Sequence, residues 1–342
     1  MQLPIETPRE LNIETFESVL NQIMRNISNE RGIIIDLSNV EKVKLGGLLN
    51  LLALGGALKE RKLRKKEEKI EADFVQLILP NEKKVKNYLH QMQLVAVSSI
   101  IDNCFINDEE LAKEDAKKKK WWNKEKALWK EGKVDEGRFP FYPIHYIPKI
   151  DSFYPYAKIP GIFESQMRKF INDIQDVFCP TLKSILKFPE KAISGFKKQN
   201  GDLVAAFWQP NKELYENIYR HSSSWGAIAI QTYPDRVVMS YVDIGLGLRE
   251  TLGQRYDVKT DGEAIIKALE EGSSRSENSP GNGLPIVKRY VEEWNGKLVI
   301  RSGETRFITS KNQNSFKKVS FFPGTQIHIS IPAHKNWRNE KY

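Results

Sequence analysis

A carboxylate and a carboxamide stand four residues apart in the stretch from Asn211 to His221, which reads NKELYENIYRH. Its apolar residues recur at helical spacing, so the stretch is predicted to form a helix with Asn211 as its N-cap. Glu213 and Asn217 would then project from one face of that helix. Asn217 can give its side-chain oxygen to Mg²⁺, and Glu213 can accept a proton from an attacking water or hydroxyl.

A second carboxylate stands at the end of the predicted strand Arg236–Asp243, directly before the sequence IGLG. A buried Asp243 at a strand end can accept a hydrogen bond from the exocyclic amine of adenine. Gly245 and Gly247 would allow the backbone to turn and to approach the base closely. Taken alone, an Asp-x-Gly turn would use the same residues.

Two further segments supply small residues next to predicted elements. Gly281, Asn282, Gly283 and Leu284 precede or begin a predicted helix, where free backbone N–H groups and the helix dipole attract phosphate oxygens. Thr325 follows a glycine and leads into a predicted strand over residues 326–331. These segments are predicted to surround the phosphates of a nucleotide.

A lid is expected over about residues 249–280, because residues 272–279 (GSSRSENS) are polar and loop-forming. Arg275 lies in this stretch and can reach a γ-phosphate when the lid closes. An exposed loop arginine without a role in binding is the alternative interpretation, and both stay open at this point.

The four motifs follow one another as E-x-x-x-N, D-x-G-x-G, G-x-G-L and G-T, each on its predicted element. In this order they resemble the N, G1, G2 and terminal G boxes of the ATP-binding domain shared by gyrase, Hsp90, sensor histidine kinases and MutL, over residues 161–333. The resemblance implies an α/β sandwich in which a mixed sheet carries helices on one face. It also implies Mg²⁺ and ATP as ligands, with the nucleotide between the helices and the lid.

The first 105 residues are predicted to form a smaller α/β unit. Its expected elements, in order, are a helix over 11–28, a strand over 33–37, a helix over 45–61, a strand over 74–79 and a helix over 82–92. With IIIDLSNVEKV and VQLILPNEKKVKNYLHQMQLV, this order resembles a STAS domain, the fold of anti-sigma-factor antagonists. That family carries a phosphoryl-accepting Ser or Thr at the start of the second helix, but Val43–Gly47 contains no hydroxyl.

The chain is therefore divided into a STAS-like unit (1–105), a connector (106–160), an ATP-binding domain (161–335) and a tail (336–342), all of the α/β class. The connector is basic and rich in aromatic residues and proline, with four lysines directly before Trp121 and Trp122. Lysines beside tryptophans can bind nucleic acid by pairing charge with stacking. They can equally pack on a neighbouring domain, which is the interpretation we favour.

Composition narrows the classes of function. The 342 residues carry a net charge of +9, 40% of them are hydrophobic, and only two cysteines occur. No stretch approaches the about 20 apolar residues that span a bilayer. The start MQLPIETPRE lacks the basic and apolar regions of a signal peptide. A cytoplasmic protein without membrane contact is expected.

Three functions remain open. The first is an ATP-gated conformational switch that hydrolyses ATP slowly and signals through the N-terminal unit, a protein partner or a second copy of the chain. The second is a Ser/Thr protein kinase, like the anti-sigma factors, acting on a STAS-type partner. The third is a nucleic-acid-binding regulator that uses the connector. A self-phosphorylating histidine kinase is not expected, because His90 alone lies on a suitable upstream helix and no acidic residue follows it.

Overall fold

The computed structural model describes residues 2–26, 32–60, 74–101, 109–130, 141–147, 165, 167–173, 203–270, 283–310 and 313–332, and in these ranges the protein is a mixed α/β structure. The strands are β1 (Gln2–Glu6), β2 (Glu10–Leu11), β3 (Gly32–Asp36), β4 (Lys42–Val43), β5 (Phe74–Ile78), β6 (Phe141–Ile147), β7 (Gly226–Tyr233), β8 (Arg236–Asp243), β9 (Lys297–Ser310) and β10 (Gln313–Pro332). The helices are α1 (Phe16–Asn26), α2 (Leu45–Lys59), α3 (Lys83–Gln91), α4 (Leu94–Ile100), α5 (Glu109–Lys130), α6 (Leu203–His221), α7 (Gly247–Leu252), α8 (Asp261–Ala268) and α9 (Gly283–Glu293). Residues 167–173 are also helical.

Two main sheets organise these elements. The N-terminal unit contains a parallel sheet in the order β1-β3-β5, and the short strands β2 and β4 pair beside it. The second sheet has the order β6-β7-β8-β10-β9. All pairings between its described strands are antiparallel, whereas the resemblance implies a mixed sheet. Near-continuous apolar strands such as β3 are typical of a parallel sheet that is covered on both faces.

Helices cover both faces of the five-stranded sheet. Tyr241 of β8 donates a hydrogen bond from its hydroxyl to Asn211 of α6. The preceding residue, Ser240, points to the opposite face because side chains alternate along a strand, and it contacts His328 of β10. A β-carbon at Gly46 of α2 would lie 3.1 Å from Nδ1 of His328. The N-terminal unit therefore covers the sheet face opposite α6.

Helix α2 is buried on all sides between the two sheets. All residues from Leu45 to Leu58 are buried, and the helix has no amphipathic pattern. A helix that is apolar around its whole circumference is stable in water only when it is enclosed. Gly56 allows the closest approach, since a β-carbon there would lie 2.1 Å from Cζ2 of Trp225. The predicted role of the small residues of this helix, close packing, is confirmed.

The first helix begins later than predicted. The expected start at residue 11 is wrong, because Glu10 and Leu11 pair with β4 as a short strand. Asn12 then caps the turn before α1: its Oδ1 accepts hydrogen bonds from the N–H groups of Glu14 (2.8 Å) and Thr15 (3.0 Å). An asparagine before a helix typically satisfies its free N–H groups in this way. The other four predicted elements of the unit agree with β3, α2, β5 and α3 within two residues, whereas β1, β2, β4 and α4 were not predicted.

The aromatic segment of the connector adds a strand to the five-stranded sheet. β6 pairs with β7, and α5 packs against α3 and α4 and places two tryptophans on β6. Trp121 stacks on Phe141 with ring centroids 5.9 Å apart, and Trp122 meets Tyr142 edge to face at 5.7 Å. The indole N–H of Trp122 donates to the carbonyl oxygen of Phe141 at 3.3 Å. Both tryptophans therefore pack on a strand of their own connector, whereas the sequence favoured packing on a neighbouring domain.

Among the described helices, none has both the length and the apolar character that crossing a membrane requires.

Candidate functional site

Helix α6 carries the first group of candidate residues, but it does not begin where the sequence indicated. It starts at Leu203 and continues through Pro210, so the prediction of Asn211 as N-cap is wrong. Asn211 is fully buried and fastens the middle of the helix to the sheet: it accepts the hydroxyl proton of Tyr241, and its Nδ2 lies 3.8 Å from Sδ of Met239. This anchor fixes the rotation of the helix nearly two turns before Asn217.

Glu213 and Asn217 lie together against the start of α9. A β-carbon at Gly283 would lie 3.1 Å from Oε2 of Glu213 and 3.4 Å from Nδ2 of Asn217. The predicted pair on α6 and the glycine of the third motif therefore meet, although they are far apart in sequence. Leu284, the next residue, is buried and packs α9 onto the core.

The carboxylate of Glu213 has the environment of a group that can exchange a proton. Burial is the largest cause that raises its pKa above the ordinary value of 4.5, and the charge of Glu216 adds to it. Gln209, one turn earlier, donates a hydrogen bond of 2.5 Å to Oε1 of Glu213 and opposes that shift. Sequence reasoning missed Gln209, although its i, i+4 spacing to Glu213 was a usable signal.

Asp243 is buried at the end of β8 and organises the loop that follows it. Its Oδ1 accepts the N–H of Gly245 at 2.8 Å. Gly245 is pressed against the end of α6: a β-carbon there would lie 1.6 Å from the carbonyl oxygen of Ser222, which also accepts the N–H of Leu246 at 3.0 Å. Only a glycine fits this approach to the backbone of Ser222. The close approach to an adenine base, for which the sequence singled out Gly245, stays a prediction.

The loop is also tied to the fourth motif. Gly247 and Gly324 both have a left-handed backbone, with φ of +77° and +72°. The hydroxyl oxygen of Ser302 accepts the N–H of Leu248 at 2.9 Å and lies 3.2 Å from the carbonyl oxygen of Gly324. Thr325 pairs with Ser302 across the β9–β10 ladder. Ser302 belongs to no motif, and nothing in the sequence distinguished it.

The pair Glu213–Asn217 and the loop after Asp243 both lie along α6. α6 carries Glu213 and Asn217, and the residue after its end holds the loop of Asp243. Ser222 follows Asn217 by five positions, which corresponds to about 7.5 Å along a helix axis. Ile218 packs on Gly226, which is itself next to Asp243 in the ladder. The polar groups of the candidate site therefore follow α6 along one end of the five-stranded sheet.

Three candidate residues, Arg275, Gly281 and Asn282, lie outside the described residues. The first part of the predicted lid contains the helix α8. Helix α8 begins with a capping box of Thr260 and Glu263, and Ala264 and Ile265 are buried. Asp261 accepts the N–H of Glu304 at 2.8 Å, which fixes α8 to β9. The centre of the predicted lid, residues 272–279, lies outside the described residues.

The residues fit Mg–ATP in two respects. The absence of a side chain at Gly283 lets the start of α9, with its free N–H groups, approach Glu213 and Asn217 closely. Asn217 presents a carboxamide, a neutral oxygen donor of the type that Mg²⁺ accepts beside phosphates. Within the described ranges, no cluster of three or more His, Cys, Asp or Glu could bind a metal by itself, so a metal here would need oxygens from its ligand.

Comparison with known proteins does not assign the chain to a family. No protein-family model matches the sequence, and no curated protein matches it.

Proposed function

We propose that the chain is a Mg–ATP-binding regulatory protein in which ATP controls a conformational switch and is hydrolysed slowly. The observation that carries the proposal is the meeting of Gly283 with Glu213 and Asn217, beside the loop of Asp243. This arrangement supports membership of the ATP-binding family shared by gyrase, Hsp90, sensor histidine kinases and MutL. The N-terminal unit is proposed to be STAS-like in shape.

Each group has a definite role in this proposal. Asp243 accepts a hydrogen bond from the adenine amine, and the glycine loops admit the base and the phosphates. The N–H groups at the start of α9 face the phosphates, where the helix dipole favours negative charge. Asn217 would hold Mg²⁺, which supplies charge neutralisation on the phosphates when bound. Glu213 accepts the proton of the attacking water, and its raised pKa suits that role.

Two consecutive residues of β9 connect the candidate site to the N-terminal unit, which supports the regulatory part of the proposal. Arg301 and Ser302 are consecutive residues of β9, so their side chains point to opposite faces of the strand. Ser302 holds the loop after Asp243, and Arg301 forms an ion pair with Glu17 of α1. A change of the loop on nucleotide binding would act on this strand. The signal would then reach the N-terminal unit, a protein partner or a second copy of the chain.

The alternative is a Ser/Thr kinase that uses the same groups and transfers the phosphoryl group to a hydroxyl of a STAS-type partner. The corresponding stretch of this chain, Val43–Gly47, is not an acceptor, because it lacks a hydroxyl and contacts the sheet face opposite Glu213. A kinase would therefore need a separate protein substrate.

The test is ATP binding and turnover by the full chain with Mg²⁺, compared with Glu213→Ala, Asn217→Ala and the control Glu82→Ala, which removes an exposed carboxylate of the N-terminal unit. We expect Glu213→Ala to bind ATP without phosphate release, Asn217→Ala to lose Mg²⁺-dependent binding, and the control to behave as the wild type. Tight binding without turnover in the wild type would favour the kinase. Absence of ATP binding would overturn the proposal.

A further inference from the structure

A cleft between α1 and the β9–β10 ribbon contains two buried guanidinium groups that share one carboxylate. Arg301 and Arg306 of β9 are 3% and 6% exposed, and both turn toward Glu17 of α1. Glu17 takes two contacts from Arg301, at 2.7 and 3.3 Å, but its nearest approach to Arg306 is 3.9 Å. One carboxylate thus serves two buried guanidinium groups.

The hydrogen bonds of the two arginines leave donors unused. Arg301 also donates to the carbonyl oxygen of Ser320, and Arg306 donates to that of Ile13. In the described part of the chain, neither Nε atom has a hydrogen-bond partner. Burial lowers the pKa of Arg301 to about 10, so it keeps its proton at neutral pH. A buried guanidinium without full compensation is costly, which makes the position a place where an anion is stabilised.

Arg306 faces another cation across the ribbon. It pairs directly with Lys317 of β10, so both side chains lie on one face. Like charges directly opposite each other on a sheet are destabilising. No ion pair between described residues includes Lys317. A ligand with negative charge between the two side chains would remove this repulsion.

The cleft has the size of a ligand site. Its volume is about 790 Å³, and its charged lining consists of Glu14, Glu17, Glu304, Arg306, Lys317 and Lys318. Glu14 is engaged by Lys297, outside the cleft, at 3.9 Å. His328, behind the arginines, is held neutral by burial and by both arginines, which lower its pKa to about 3. Pockets of roughly 300–1,000 Å³ typically bind small molecules.

We propose that this cleft binds a small molecule through an oxyanion, a phosphate or a carboxylate, held between Arg306 and Lys317. A guanidinium binds either group through paired N–H donors. The cleft shares no residue with the site of Glu213 and Asp243, so this inference does not depend on ATP binding. Because it joins α1 to β9, its occupant would hold the N-terminal unit against the sheet.

The test is calorimetric titration of the full chain with inorganic phosphate and, separately, with citrate, at constant ionic strength. We expect saturable binding of at least one probe, and the better probe identifies phosphate or carboxylate as the ligand group. Arg306→Gln should weaken that binding by about tenfold or more, since the paired donors are lost. Lys84→Gln, which removes an exposed cation of α3, should leave it unchanged.

A phosphate bound near Glu213 would be insensitive to Arg306→Gln, so the variant separates the two sites. If thermal unfolding shows that Arg306→Gln is not folded, the double variant Lys317→Gln/Lys318→Gln replaces it, because both side chains are exposed. Loss of affinity in that variant supports the site. No saturable binding of either probe, or unchanged affinity in the folded variants, would overturn the proposal.

Discussion

Gly283 begins α9 directly against the carboxylate of Glu213, without room for a side chain between them. A β-carbon at this position would approach Oε2 of Glu213 to 3.1 Å. The crowded atom is the far end of a flexible side chain, so the carboxylate would move and the helices would not. The glycine therefore sets the position of the proposed base without being needed for the fold.

We predict that Gly283→Ala leaves the protein folded but lowers ATP turnover by about tenfold, since small displacements of a catalytic group are costly. Turnover and thermal unfolding would be measured on the same preparation. Gly262→Ala, in α8, is the matched control, because its nearest contacts would be at 3.9 Å. Wild-type turnover in Gly283→Ala would contradict the role of Glu213 as base.

The pH dependence of turnover should follow the ionisation of Glu213. Its pKa is raised above 4.5, mainly by burial, and only the ionised form accepts a proton, so turnover should fall on acidification already above pH 4.5. Gln209→Leu removes a hydrogen bond to the carboxylate and should move this fall to higher pH. Glu216→Gln removes a neighbouring negative charge and should move it to lower pH.

The measurement is kcat against pH for the wild type and both variants. Titration of the nucleotide is the same in all three proteins, so their differences report on Glu213. A shift of both variants in one direction would contradict the assignment.

Gly324 is predicted to be essential for stability. Its φ of +72° lies in the left-handed region, and a β-carbon would lie 2.2 Å from the carbonyl oxygen of Asp243. Gly324→Ala should lower the free energy of unfolding by more than the about 1–2 kcal/mol of the left-handed conformation, because a backbone clash is added. Gly262→Ala, within a helix, should instead raise it by about 0.5–1 kcal/mol. The free energy of unfolding of both variants is measured in denaturant. Equal changes in the two variants would contradict the close approach of Gly324 to Asp243.

Glu17 is predicted to contribute far more to stability than Glu14, although both lie near the start of α1. Glu17→Gln would leave Arg301 and Arg306 buried without a counter-charge, at a cost of about 3–5 kcal/mol. Glu14→Gln breaks an exposed contact of 3.9 Å to Lys297 and should cost less than about 1 kcal/mol. Free energies of unfolding in denaturant measure both, and similar values for the two variants would show that the ion pair is not a main link.

Sequence patterns predicted the elements well where local spacing determines them. The strands β7 and β8 and the small-residue helix α2 follow from periodicity and from glycine content. The start of α6 was wrong because proline usually occurs in the first turn of a helix or ends it. Here Pro210 is buried inside the helix, and tertiary packing outweighs the lost hydrogen bond.

The site was predictable as a set of residues but not as a set of contacts. Glu213 and Asn217 were chosen from the first motif and Gly283 from the third, and only the packing of α9 on α6 brings the two motifs together. Ser302 could not be found, because a serine inside a long strand carries no signal of its own. The pairing of Arg301 with Glu17 was equally hidden, since charge gives no information on partners 284 residues apart.

Helix α2 leaves the ribosome long before the strands that enclose it. It ends at Lys59, and β7 begins only at Gly226. At about 5–20 residues per second, synthesis of the intervening chain takes on the order of ten seconds. During that interval an entirely apolar helix has no sheet to cover its second side, so nascent chains need either a chaperone or temporary burial elsewhere.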